Sequence, residues 1–550
     1  MNIRRMLFLA LATPFLHCGD SASNSTSNDT SNAPLTRLTE SLGGAAALDA
    51  MRTLSIEATG LHSAYDEGVD PGGAPTPASD FTFAGRIDVG ADQMLLSYKR
   101  NYLAIVPGAT SDYSEIVAGQ RGYVRGIESV FGGPAGTVGA PMSSARWAAT
   151  RRHQVLSNPH LLLKGRAAND VRDEGLENRD GRSYRRIVVS DPWGIRDFTL
   201  RLDDAGRLAQ LSTLESDHLR GDINVDVTYE QWEPSGGLLF PRRVSIAVDH
   251  QTVRVEDRSS IQVNAPLEQE LFAMPDGPPQ EFDDDHADFG HRRAQSYQRF
   301  AGLGLNSFVD PLHETVVGVE VATGVYHLVG TGHHSMLVDQ GASSVLVEAP
   351  LDEERSKALL AWIDTNLPGG LAAHPISNVV MTHHHADHSA GLRTFVARGA
   401  AVVVAKESEA FMRDMFTSAH TISPDDLSAR KDIVPVLRPV ESEGSLAIGN
   451  VSVHHVRSSH AADMLIVHVT AAGSPGILFN SDLYNPTEGD LIPARRERAV
   501  GFNEAIIRLG LNTPDRIFVG GHGNMAGTRH FNVTYAQFQA QLARVQGQAP

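Results

Sequence analysis

Residues 379–392 read Val-Val-Met-Thr-His-His-His-Ala-Asp-His-Ser-Ala-Gly-Leu. The apolar run 379–381 predicts a buried strand, and His383, His385, Asp387 and His388 follow it at once. Alternate side chains of an extended segment share a face, so His383 and His385 point the same way and His384 points away. Asp387 and His388 fall at the turn into an expected helix over 389–398 and face another direction. Imidazoles and carboxylates so arranged can serve two different cations. A surface histidine cluster would need neither the strand before it nor the small residues after it.

Three more ligand-type side chains repeat the placement. His460 closes Arg457-Ser458-Ser459-His460 after an expected strand over 451–456. Asp482 follows the strand 477–479 in Asn480-Ser481-Asp482-Leu483-Tyr484, and His522 follows the strand 517–520 in Gly521-His522-Gly523. A histidine after a strand is weak by itself. Residues that all lie just past apolar strands can be gathered on one rim of a sheet.

The elements that must hold them follow from the pattern beyond residue 316. Expected strands over 345–348, 379–381, 401–405, 451–456, 465–469, 477–479 and 517–520 are interleaved with expected helices over 353–366 and 407–416, which indicates an α/β domain with helices covering sheet faces. The first half differs. After a helical stretch over 35–51, interrupted by Gly43-Gly44, short alternating runs such as 185–190, 197–202 and 223–229 predict an antiparallel sheet with one wet face, continuing to about 275. Gly277-Pro278-Pro279 and the run Asp283-Asp284-Asp285-His286 mark a boundary. That acidic run lacks the spaced oxygens and fixed glycine of a calcium loop and reads as solvated linker. The expected division is 1–33 (export segment and Ser/Asn-rich tether), 34–275 (β-rich domain), 276–315 (linker) and 316–550 (α/β domain).

On these residues the C-terminal part resembles the metallo-β-lactamase superfamily, in its glyoxalase II-like branch. The resemblance implies an αββα sandwich with two metal ions at one edge of its sheets. It implies that His383, His385 and His460 hold one ion, Asp387, His388 and His522 the other, and that Asp482 bridges them. Asp482 follows His460 by 22 residues and His522 follows Asp482 by 40, intervals of the order seen in that branch. The family's first motif falls on Glu348, in Val347-Glu348-Ala349-Pro350, where an aspartate is usual. The chain has one cysteine, Cys18, so no thiolate ligand is available downstream. A nitrogen and oxygen donor set suits zinc first, then iron or manganese.

Two such ions would make hydroxide available near neutral pH for attack on a carbonyl or phosphoryl centre, with Asp387 orienting it. No separate serine or cysteine nucleophile is needed. Tyr484 either hydrogen-bonds a developing oxyanion or simply packs. Arg495, Arg496 and Arg498 form either an anion clamp or a basic turn. His333 and His334 are further candidates for the mouth.

The β-rich half resembles the curved-sheet domains of periplasmic lipoprotein carriers, in Leu42-Gly43-Gly44, Tyr229-Glu230-Gln231-Trp232, Phe240-Pro241-Arg242-Arg243-Val244 and Phe272-Ala273-Met274-Pro275. Such domains cradle lipid or acyl chains, or act as spacers. Trp147, Trp193 and Trp232 are expected in its core rather than as stacking platforms.

At 550 residues the chain is long enough for two or three domains, and a net charge of −18 disfavours nucleic acid as a partner. No internal run is long and apolar enough to span a bilayer. Arg4 and Arg5 followed by an apolar run over 6–16 describe an export signal. Cys18 behind it resembles the lipidated cysteine of bacterial lipoproteins, although His17 stands where a small residue is usual. The alternative is a cleaved signal in which Cys18 has no role. The reading is a hydrolase of the cell envelope, periplasmic or membrane-associated through a lipidated Cys18, acting on a small-molecule ester, lactone, thioester or amide. Its alternatives are a mononuclear-iron redox enzyme of the sulfur dioxygenase type and a lipid-binding protein with a structural metal domain.

Overall fold

The structure, a computed structural model, describes residues 33–128, 139–191, 196–277, 294–304, 316–330, 332–486, 491, 495–522 and 532–545. The export segment with Cys18, the tether, Trp193 and the acidic run 283–286 lie outside the described residues.

Strands β1 (Thr53–Ala64) and β2 (Thr76–Asp88) open a meander in which alternate residues turn to one side. Leu54 and Ile56 of β1 and Phe81 and Phe83 of β2 are buried on it. Thirteen strands among the described residues form one antiparallel sheet, built of two meanders joined where β1 pairs with Gln251–Val263. The expected strands appear as Arg182–Val189, Phe198–Leu202 and Gly221–Ser235.

The expectation of strands throughout this half needs correction. The helix Ser144–Ser157 lies against the buried face, where Trp147, Ala148, Val155 and Leu156 join the core. The Tyr229 hydroxyl donates to the Leu156 carbonyl at 2.6 Å. The helix escapes a hydrophobic-periodicity reading because its buried face carries arginines: Arg146 pairs with Glu115 at 2.9 Å, and Arg152 pairs with Glu215 and with Asp191. Beside His62, His153 and Arg254 the remaining space is about 40 Å³, enough for a water or two.

The segment expected to be linker contains the helix Ala294–Leu303, whose Ala301 and Leu303 are buried.

From Val317 onward two sheets face each other. Ser344–Val347, Ile376–Val380, Ala401–Ala405 and Leu437–Val440 run parallel in the first sheet. The second runs from Ser445–Ile448 to Val533–Thr534. Val347, Val380 and Val403 meet Val453, Val467 and Phe479 between the sheets. Neighbouring residues such as Leu346 and Val379 turn outward to the helix Glu353–Asn366, while Phe502 and Phe538 of two later helices cover Phe518 of the other sheet. Strands buried on both faces read as unbroken apolar runs, which is why these were visible. The result is the expected αββα sandwich, preceded by a large antiparallel sheet.

Candidate metal centre

The strand Ile376–Val380 delivers Thr382 and His383 to the rim of the sandwich. The helix expected from 389 starts earlier and is broken, as Ala386–Ser389 and Leu392–Val396. Asp387 and His388 therefore sit inside its first turn rather than ahead of it. The Ser389 hydroxyl lies 2.9 Å from the carbonyl oxygens of both His384 and His385, to which it donates, and so pins the loop. His384 turns away, with Nδ1 2.8 Å from Asp463.

The other strand ends bring their residues to the same place. His383, His385 and His460 offer ligand atoms within 4.8 Å of one another, and so do His388, Asp482 and His522. Asp482 stands between the groups: one carboxylate oxygen is 3.1 Å from His460 Nε2, the other 2.8 Å from His522 Nε2 and 3.3 Å from His388 Nε2. Asp387 lies 3.4 Å from His388 Nε2 and 3.6 Å from His522 Nε2, and its Oδ1 is buried without a hydrogen-bond partner among the described residues.

Behind the rings, hydrogen bonds fix which nitrogen is free. Glu348 accepts from His388 Nδ1 at 2.8 Å and from the Thr382 and Ser481 hydroxyls at 2.6 Å each. With its own proton committed to Glu348, the Thr382 oxygen accepts from His383 Nδ1 at 3.1 Å. His522 Nδ1 donates to the Gly332 carbonyl at 3.1 Å. In neutral rings the outward Nε2 atoms then carry lone pairs. Yet His388 and His522 bring theirs within 3.0 Å. That contact calls for positive charge between the two rings.

Electrostatics agree. Burial holds His383 and His460 well below the ordinary imidazole value and His385 down to about 4, which leaves neutral rings suited to metal. Burial alone would raise the Asp482 carboxyl, but His522 and His388 hold it well below the usual range. Burial would lower His388, but Asp387, Glu348 and Asp482 push it well up. The cage attracts a cation, and its donor set and orphaned carboxylate oxygen fit divalent metal ions.

Not every expected residue joins. Tyr484 is corrected to a packing residue: its ring lies 4.7 Å from Phe538, and its hydroxyl donates to Gln541 inside the helical layer. His334 faces His327 at 3.0 Å, away from the cage. Of the three arginines, Arg498 donates to the Asp482 carbonyl at 2.8 Å and burial brings it down to about 10, while Arg495 is buried close enough to feel the Asp482 charge. His333 does line the centre, with Nε2 3.1 Å from Asp387.

One neighbour was not anticipated. Glu67, in the turn between β1 and β2 of the other domain, presents its carboxylate to His385 and Asp387. Its surroundings in the sequence, Tyr65-Asp66-Glu67-Gly68-Val69, carry no signal beyond that of a polar turn.

Residues 332–473 match the metallo-beta-lactamase superfamily. The match takes in the histidine loop and His460, and Asp482 and His522 lie beyond it. It supports a metal-dependent hydrolase in general. Solved metallo-β-lactamases are similar to the C-terminal half. FIM-1 from Pseudomonas aeruginosa, in a mono-zinc form, is 15% identical over 42% of this chain and 95% of its own, with a TM-score of 0.30. A B3 metallo-β-lactamase with an active-site glutamic acid is 20% identical over 43% and 89%, with a TM-score of 0.29. One from Hirschia baltica is 16% identical over 42% and 97%, with a TM-score of 0.27. No curated protein matches the chain.

Proposed function

We propose that this protein is a dinuclear metal-dependent hydrolase acting on a small-molecule ester, lactone, thioester or amide. The observation that carries the reading is Asp482, which turns one carboxylate oxygen toward His460 and the other toward His388 and His522. His383, His385 and His460 would hold one ion and Asp387, His388 and His522 the other, with Asp482 between. Two divalent ions, zinc being the best match to these donors, would supply Lewis acidity and an acidic water. The chain contributes the rest. Asp387 Oδ1, without a hydrogen-bond partner among the described residues, would orient a nucleophile and take its proton. Glu348 locks His388, and through Thr382 also His383, in the tautomer that leaves Nε2 bare. Arg498 holds the backbone of Asp482.

Elemental analysis of the purified protein, with turnover measured on lactones, thioesters, β-lactams and phosphodiesters, tests this. Two equivalents of metal and turnover of a carbonyl substrate are expected. Asp482→Ala should lose more activity than the roughly 10–100-fold typical of outer-shell changes. Protein that carries no transition metal and turns over none of these would end the reading. Export and lipid attachment at Cys18 are part of the proposal, supported by Arg4, Arg5 and the apolar run behind them. Recovery of the expressed protein in the soluble rather than the membrane fraction would count against attachment.

A further inference from the structure

The turn joining β1 to β2 leaves the sheet domain and crosses the mouth of the candidate metal centre. Its base is fixed by buried charge. Asp66, at φ 56°, is gripped by two nitrogens of Arg220, one at 2.6 Å. The Tyr65 hydroxyl donates to Asp217 at 2.9 Å, and Arg299 donates to the same carboxylate at 2.8 Å. Beyond this anchor three successive residues touch the metal loops. The Glu67 carboxylate accepts from the Ala386 backbone N–H at 3.3 Å and lies 3.7 Å from His385 Nδ1. The Gly68 carbonyl accepts from His385 Nε2 at 2.8 Å. The Val69 carbonyl accepts from the Ala462 N–H at 2.7 Å, two residues past His460.

The Gly68 contact decides a tautomer. A carbonyl only accepts, so His385 carries its proton on Nε2 and leaves Nδ1 as the bare donor. Glu67 faces that bare nitrogen. The Glu67 side chain is 6% exposed, and among the described residues no lysine or arginine is within ion-pair distance of it, Arg299 acting on it from farther away. On its far side is Asp387, whose Oδ1 is buried without a hydrogen-bond partner among the described residues. Two carboxylates and an imidazole lone pair, buried with ligand atoms within 4.8 Å of one another, repel unless a cation lies among them or one carboxyl takes up a proton.

We propose that Glu67 is a metal ligand supplied by the sheet domain, completing the centre on the side of His385 and Asp387. The inference rests on the metal-binding reading above. It makes the centre an interdomain site: the ion joins two parts of the chain 318 residues apart at Glu67 and His385, and the sheet domain becomes part of the catalytic apparatus rather than a spacer.

The test uses the full chain stripped of metal and titrated with cobalt(II), whose visible ligand-field bands follow coordination number and donor set. Glu67→Gln keeps the size of the side chain and removes its charge. Two bound cobalt ions in the wild type, changed bands in the variant and at least tenfold weaker retention of one ion against a chelator are expected. Unchanged bands, whatever the affinity, would overturn the proposal, since a residue that only supports the loop leaves the donor set intact. If Glu67→Gln fails to fold, Glu67→Asp, with its carboxylate drawn back by one methylene, is read the same way: changed bands support ligation and unchanged bands overturn it. Wild-type protein that takes up no cobalt or zinc would sink the metal reading and this proposal together. Wild-type uptake with variant bands identical sinks this proposal alone.

Discussion

Glu348 shows how much one side chain can organise. It is fully buried, sits at φ 65°, and accepts from a histidine of the cage and from two hydroxyls on neighbouring loops. Backbone in that region is costly for a residue other than glycine and persists where surrounding contacts over-determine it. Ser481, at φ 46°, is one of its partners, so two strained positions hold each other. Glu348→Gln keeps the shape but turns half of the acceptor into a donor facing donors. It should weaken metal retention about 10–100-fold, as changes behind metal-bound histidines do. Stability should fall by about 1–3 kcal/mol for the unmet bonds. Chelator competition and urea unfolding measure the two effects separately. Tyr484→Phe gives the contrast: only the bond to Gln541 is lost. Turnover should stay within about twofold of wild type while stability drops by about 1 kcal/mol. A large loss of turnover would return Tyr484 to the active site.

At the scale of elements, strand ends do the positioning, and close approach sets what they tolerate. A Cβ on Gly521 would lie 2.9 Å from a Glu348 carboxylate oxygen and 3.2 Å from the Ser481 Cα. Gly521→Ala should push His522 off its place and cost about 1–3 kcal/mol of overpacking. One of two bound ions should be retained at least tenfold less well, with circular dichroism unchanged. Equal retention of both would mean that this strand end has slack. The same strand logic made much of the centre legible in the sequence: each candidate follows an apolar run, and a sheet brings such ends to one rim. What was illegible had physical causes. The start of the helix at Ala386 was missed because its first turn is made of the candidate ligands themselves. The helix Ser144–Ser157 was hidden because paired arginines stand on its buried face where leucines would announce a core. A sequence cannot show whether an aromatic beside a ligand turns inward or outward, and Tyr484 turns into the helical layer. Glu67 arrives from a turn in the other domain, and only the tertiary fold brings it near.

For the whole molecule, the joint between the domains is both apolar and ionic. Ala64, Ala78, Ala149 and Leu219 of the sheet domain share one buried cluster with Leu392 and Phe395 of the sandwich. Asp222 accepts from the backbone N–H groups of Thr421 and Ile422 at 2.9 and 3.0 Å. Beneath the Glu67 turn, Asp217 is buried against Arg299, Tyr65 and the Arg220 N–H. Burial alone would raise its carboxyl, but Arg299 first, then these hydrogen bonds, bring it down to about 2. An unfolded aspartate titrates near 3.9, so the folded chain holds this group ionised where the unfolded chain takes up a proton. The stabilisation is complete above about pH 4 and is lost as pH falls through about 2, and it amounts to about 2–3 kcal/mol. Asp217→Asn removes that titration and leaves Arg299 without its nearest carboxylate, which should cost about 3–5 kcal/mol at pH 7. Urea midpoints at pH 7, 4 and 3 read both effects. The wild type should lose more stability than the variant between pH 4 and pH 3, so that the gap between them narrows as acid is added. Parallel losses would mean that Asp217 is not what fastens the Glu67 turn, and the acid sensitivity of the joint would then have to reside in other carboxylates.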